Sequence, residues 1–260
     1  MSDEKRDLAG PGIGSYAEVA QALPRDYRPL LDPKRTMQAL NDVKAHIEAG
    51  LCRALNLTMV RVPLIVEAGS GVNDMLDRDG SRTPVSFQCG LGLETPLNAE
   101  VVQAATKWKR TALKTFDCAP GEGICTDMRA IRKDYFLDHD HSAYVDQWDW
   151  ERAITPEDRN LGFLTDVVSR IWKVIWEAEA RVLERFPELN DPRYPNLPEK
   201  LTFIHAEDLL ARYPDLPRKA REERLLQEHP AVFIYGIGWP LADGHPHELR
   251  AADYDDWVTE

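Results

Sequence analysis

Long apolar runs are missing from this sequence. No stretch approaches the ~20 residues that a membrane-spanning helix requires, so a helical membrane protein is not expected. Cysteine is scarce: Cys52, Cys89, Cys118 and Cys125 form no CxxC pair and no disulfide framework, which points to reduced thiols in the cytoplasm. Positive charge is short as well, with a formal net charge of −12. Nucleic-acid binders draw most of their non-specific affinity from cations facing phosphates, so nucleic acid is not the expected ligand. The dense basic runs are local. Arg218, Lys219, Arg221 and Arg224 interleave with Glu222 and Glu223 as on a solvated helix face, whereas Lys107, Lys109, Arg110 and Arg129, Arg132, Lys133 suit one anionic small molecule.

Several chemical signatures are absent too. The glycines of GIGSY precede any predicted strand, which excludes a dinucleotide fingerprint. Neither GxSxG nor GxxxxGKS occurs, so nucleophile-elbow hydrolases and P-loop enzymes lose their support. DHDH (138–141) and HPH (245–247) lack zinc-type spacing, and no metal site is expected there. The N-terminus, MSDEKRDLAGPGIGS, carries no apolar segment of the kind a secretory signal needs.

What is present is ordinary globular material, 260 residues of which 43% are apolar, enough for a substantial core. Residues 1–25 read as a loose arm. A helix is expected from Asp32-Pro33, with Met37, Leu40, Ile47, Leu51 and Leu55 as its apolar stripe. Residues 57–67 read as a strand with an edge or bulge at Pro63, 68–74 as a loop and 84–89 as a short strand. The stretch 99–116 mixes both patterns and turns helical in its second half. Residues 122–132 and 143–151 read as paired strands, and Thr155-Pro156-Glu157-Asp158 as a helix start running to about Phe186. Strands at 201–206 and 231–237 flank helices near 207–212 and 216–228. The expected class is α+β, an antiparallel sheet flanked by helices.

The most unusual stretch is HSAYVDQWDWE (141–151). Alternation puts Val145, Gln147, Asp149 and Glu151 on one face of the strand, poor for a core because buried acids and amides need partners. That face suits the floor of a polar pocket, and it equally fits a solvated edge strand. Arg132 ends the preceding strand, Lys109 lies on a basic turn upstream, and Asp74 sits in a Gly-rich loop. Two cations with amide and carboxylate partners can hold a zwitterionic amino acid beside a phosphate. The same residues also fit weak surface ion pairs.

KWKRTALK (107–114), AIRKD (130–134), HSAYVDQWDWE, ARYPDLP (211–217) and RAADYDDW (250–257) together resemble the ammonia-dependent asparagine synthetases, the aspartate–ammonia ligases. The similarity runs from about Arg25 onward, which makes 26–260 one ligase domain. It implies a class II aminoacyl-tRNA-synthetase-like catalytic fold, a homodimer, and ATP with Mg²⁺. The implied substrates are aspartate, or a close analogue, and ammonia or another amine, joined through β-aspartyl-AMP. The implied roles are Arg132 on the α-phosphate, Lys109, Gln147 and Asp149 on aspartate, Asp74 at its amino or reacting end, and Asp255 near the nucleotide.

Departures accompany the resemblance. Gln103-Ala104 replaces the family's HS pair, IGW (237–239) replaces IGG, and HPHE (245–248) replaces HRHD. A GGGIGQSR-type third motif has no counterpart in the 260 residues, so a C-terminally shortened member is expected. The alternative reading is a non-catalytic or split paralogue that binds a small ligand or a partner chain.

Overall fold

The computed structural model describes residues 27–76, 82–134 and 141–248. The expected N-terminal arm, Asp255 and most of the DHDH run lie outside them. The chain divides into two compact units, one containing Leu57–Ala153 and the other Leu30–Asn56 with the stretch from Ile154.

In the first unit, the expected strand over 57–67 is two strands in different sheets. β1 (Leu57–Val60) ends before Pro63, and β2 (Ile65–Glu67) begins after it. Proline has no N–H for a ladder, so the apolar run breaks there. β1 pairs in parallel with the central β5 (Gly123–Ile131), whose other side carries β6 (Tyr144–Arg152) antiparallel, from Gly123 opposite Arg152 to Ile131 opposite Tyr144. This is the expected hairpin. A second sheet has the order β2-β4-β3, with β3 at Ser86–Cys89 and β4 at Leu97–Val101.

The mixed pattern of 99–116 resolves into the end of β4 and then helix α1 (Thr106–Thr115). Between them, residues 101–106 are all buried. Ala112 of the helix packs with Val60 and Ile124, joined by its Trp108 and Leu113. Val102, Ala105, Met128 and Ala130 form an adjoining cluster. Ile124 and Met128 are fully buried, which contributes about 2–3 kcal/mol each. The core of this unit therefore lies on the face of the β5–β6 hairpin that α1 covers.

The second unit rests on two long helices, α2 (Pro33–Leu55) and α3 (Leu161–Arg185). Asp32 caps α2 as expected, accepting from the Arg35 N–H at 2.9 Å, and Ile47, Leu51 and Leu55 are buried. Met37 and Leu40, expected on the same stripe, are exposed. The Thr155 capping box is formed, but it closes only a 3₁₀ turn over Pro156–Asp158. Asn160 then caps α3 afresh, accepting from the Phe163 N–H. Leu31, Ala39, Val182 and Phe186 form the core between the two helices. β7 (Thr202–His205) and β8 (Val232–Tyr235) pair in parallel beside α4 (Ala206–Arg212) and α5 (Arg218–Leu226). The hairpins are antiparallel as expected, whereas β1–β5 and β7–β8 are parallel.

Gly50 shows how closely α2 and α3 approach. A Cβ there would lie 2.5 Å from Cγ1 of Val174, a side chain that a helix holds in one rotamer. Gly50→Ala is expected to destabilise the protein by about 1–2 kcal/mol, overpacking outweighing the gain in helix propensity. In a Val174→Ala background the same change should stabilise by up to about 1 kcal/mol. Urea unfolding of the four proteins measures this reversal of sign, and an unchanged sign would contradict the close packing.

Candidate active site

The site is built on residues 103–109, where the chain leaves β4 and enters α1. Carboxylates and cations from three other segments meet this stretch.

Lys109 lies one turn into α1 and is 2% exposed. An ammonium ion in such surroundings needs partners, because its desolvation is uncompensated otherwise. β6 supplies them. Lys109 Nζ forms an ion pair with Asp149 Oδ1, lies 3.9 Å from Glu151 Oε2 and donates to the Trp150 carbonyl at 3.4 Å. Glu151 in turn stands 3.8 Å from Arg110 Nε.

The register explains why these acids face the helix. Val145, Gln147, Asp149 and Glu151 stand opposite Ala130, Met128, Thr126 and Ile124, and all four of those partners are fully buried. The polar face of β6 is thus neither a solvated edge nor a dry core. It is half-buried, adjoining the core stripe of β5, and Lys109 balances its acids. Thr126 adds a hydrogen bond from its hydroxyl to the Asp149 carbonyl at 3.2 Å.

Arg132 follows directly on β5. Its N–H bonds the Ala143 carbonyl at 2.8 Å, and its guanidinium Nε donates to the Gln103 carbonyl at 3.1 Å. Two residues on, Asp134 accepts from the Thr83 N–H at 2.8 Å. That hydrogen bond, followed by one from Lys133, holds the Asp134 carboxyl below the usual carboxylate range.

Asp74 is 1% exposed, and its carboxylate faces the start of α1. One oxygen accepts from the Thr106 N–H at 2.7 Å and the other from the Lys107 N–H at 3.0 Å. Ala105, at the N-cap position, offers no side-chain cap of its own. Asn73 binds the same segment, accepting from the Gln103 N–H at 2.9 Å and donating to the Val101 carbonyl at 3.3 Å.

Of the residues singled out in the sequence, Lys109 and Asp149 are in contact. Gln147 shares the strand face of Asp149, and Arg132 and Asp74 are tied to the segment that carries Lys109. Asp255 lies outside the described residues. Sequence reasoning missed Glu151 as a second acid beside Lys109, although its position two residues past Asp149 on the same face was a usable signal. It also missed Asn73 and the Gln103 carbonyl, because backbone-directed bonds across about thirty residues leave no local pattern. Among the described residues, no group of three or more His, Cys, Asp or Glu side chains is placed to hold a metal ion. No described helix is long and apolar enough to cross a membrane. The arrangement can accept a zwitterion by exchanging charges, with an incoming carboxylate on Lys109 and an ammonium on Asp149.

Comparison with known proteins adds independent findings. The family model for aspartate–ammonia ligase matches residues 34–260. An aspartate–ammonia ligase of Bacteroides thetaiotaomicron is 46% identical over 237 residues, covering 91% of this chain and 66% of the relative. One from Clostridium perfringens is 44% identical over 236 residues, covering 91% of this chain and 68% of the relative. The chain thus spans about two thirds of the length of these relatives. Among solved structures, the asparaginyl-tRNA synthetase from Pyrococcus horikoshii, complexed with asparaginyl-adenylate, aligns with a TM-score of 0.51. It is 15% identical over 78% of this chain and 45% of that one, which makes the likeness one of fold.

Proposed function

The chain belongs to the aspartate–ammonia ligase family, and from that we propose that it activates the side-chain carboxylate of L-aspartate with ATP and transfers the acyl group to ammonia. A carboxylate is a poor electrophile because its leaving group would be oxide. Attack of one carboxylate oxygen on the α-phosphorus of ATP releases pyrophosphate and leaves β-aspartyl-AMP. Ammonia then adds to the acyl carbon, the C–O bond to AMP breaks, and loss of a proton gives asparagine. AMP departs with the oxygen that belonged to aspartate.

The observation that carries this reading is the buried Lys109 held between Asp149 and Glu151. In the proposed complex Lys109 takes a carboxylate of aspartate, while Asp149 and Gln147 take its ammonium and polar groups. Arg132, fixed at Nε by the Gln103 carbonyl, presents its fork to the α-phosphate, where planar bidentate contact stabilises developing charge. Mg²⁺ enters as part of the Mg-ATP substrate, since this ion is usually held by phosphates and few protein carboxylates. Positioning and charge stabilisation supply the rate; no group of the protein forms a covalent intermediate. Asp255 near the nucleotide, a homodimeric state and a cytoplasmic location belong to the same reading.

Oxygen tracing tests the chemistry. With aspartate labelled by ¹⁸O in its side-chain carboxylate, each asparagine formed should be matched by one ¹⁸O in AMP. Unlabelled AMP, or ADP and phosphate as products, would contradict an adenylate route.

A further inference from the structure

We propose that Asp74 is a positioning residue: with Asn73 it clamps residues 103–107, and through that clamp it sets Lys109 against Asp149. The first N–H groups of a helix have no partner within it. In α1 two of them, from Thr106 and Lys107, are met by the two oxygens of one carboxylate from a loop some thirty residues earlier. The local N-cap position holds alanine, which cannot do this. Ionised, Asp74 accepts hydrogen bonds and donates none, and a negative charge at a helix N-terminus is favoured. Asn73 extends the grip to Gln103, whose N–H it receives and whose carbonyl holds Arg132.

Lys109 is therefore carried by one short segment to which Arg132 is also tied, and one loop fastens that segment. The loop turns on two left-handed glycines. Gly69 and Gly71 adopt φ of +77° and +80°, with open space where a side chain would stand. Its order at Asn73 and Asp74 comes from the clamp, and the clamp's order is passed to α1. Asp74 acts on substrate through Lys109.

Hydrogen exchange of the substrate-free protein tests this, alongside Asp74→Asn and Asp74→Ala. Wild type should protect the Thr106 and Lys107 amides. The alanine variant should exchange them roughly tenfold faster, with β5 amides unchanged, and the asparagine variant, which keeps one acceptor, should fall between. Asn73→Ala should expose the Gln103 amide in the same way, so the clamp stays testable even if Asp74→Ala fails to fold. Only the kinetic half of the inference rests on the ligase reading. There the apparent KM for aspartate should rise in the order wild type, Asn, Ala, while the KM for ATP changes little. Unchanged protection of residues 105–109 in Asp74→Ala would overturn the inference, as would equal loss of aspartate affinity in Asn and Ala with those amides still protected. Intact protection differences in a protein without ligase activity would keep the clamp and reject the function.

Discussion

Lys109→Met is expected to lose both stability and aspartate-dependent turnover. Methionine nearly matches the volume of the lysine stem, so the buried position stays filled while the charge goes. Asp149 then loses its cationic partner, while Glu151 keeps Arg110 at 3.8 Å. Breaking a buried ion pair costs about 3–5 kcal/mol. Here each carboxylate side chain remains 25% exposed, so solvent screens part of the loss and about 2–3 kcal/mol is expected in urea unfolding. Adding Asp149→Asn should recover about 1–2 kcal/mol of that, because the two sites share one interaction. In turnover, kcat/KM for aspartate should fall by about 100-fold or more, the range for removing a charged contact at a reacting group. A variant of wild-type stability and near-normal kinetics would remove Lys109 from the site.

Arg132 separates geometry from charge. Arg132→Ala should reduce adenylate formation by about 100- to 1,000-fold, and Arg132→Lys should recover little of it. Lysine supplies the positive charge but no planar fork, and its single nitrogen cannot hold the Gln103 carbonyl and also present two parallel N–H groups to a phosphate. Single-turnover formation of pyrophosphate measures both variants. A lysine variant within about threefold of wild type would show that charge alone suffices, and the bidentate assignment would fail.

How much of this could be read from residues alone follows from the range of the interactions. Asp32-Pro33 announced α2 because a cap acts on its own first turn, and the β5–β6 hairpin was legible from alternation. The polar face of β6 was read from the same period of two, and Asp149 and Gln147 came with it. Pro63 was noticed but underestimated: it ends a strand in one sheet and lets the next begin in another. Thr155–Asp158 has every local mark of a long helix start and closes one 3₁₀ turn, since Asn160 immediately offers a second cap. Asp74 is the clearest limit. Its residue type and loop suggested a ligand for substrate, and nothing in them announced that its carboxylate meets backbone N–H groups of α1. Capping rules look a few residues along the chain, and this cap comes from another segment. The partnership of Lys109 with Asp149 likewise depends on α1 lying over the hairpin, a tertiary fact that only the fold supplies.

The most direct measurement is exchange of labelled pyrophosphate into ATP by this 260-residue chain, with saturating Mg-ATP, in the presence and absence of aspartate. Reversible formation of β-aspartyl-AMP predicts exchange that requires aspartate, needs no ammonia, and is lost in Arg132→Ala. Absence of exchange in protein shown to be folded would contradict the assignment of adenylation to this site, and so would exchange indifferent to aspartate.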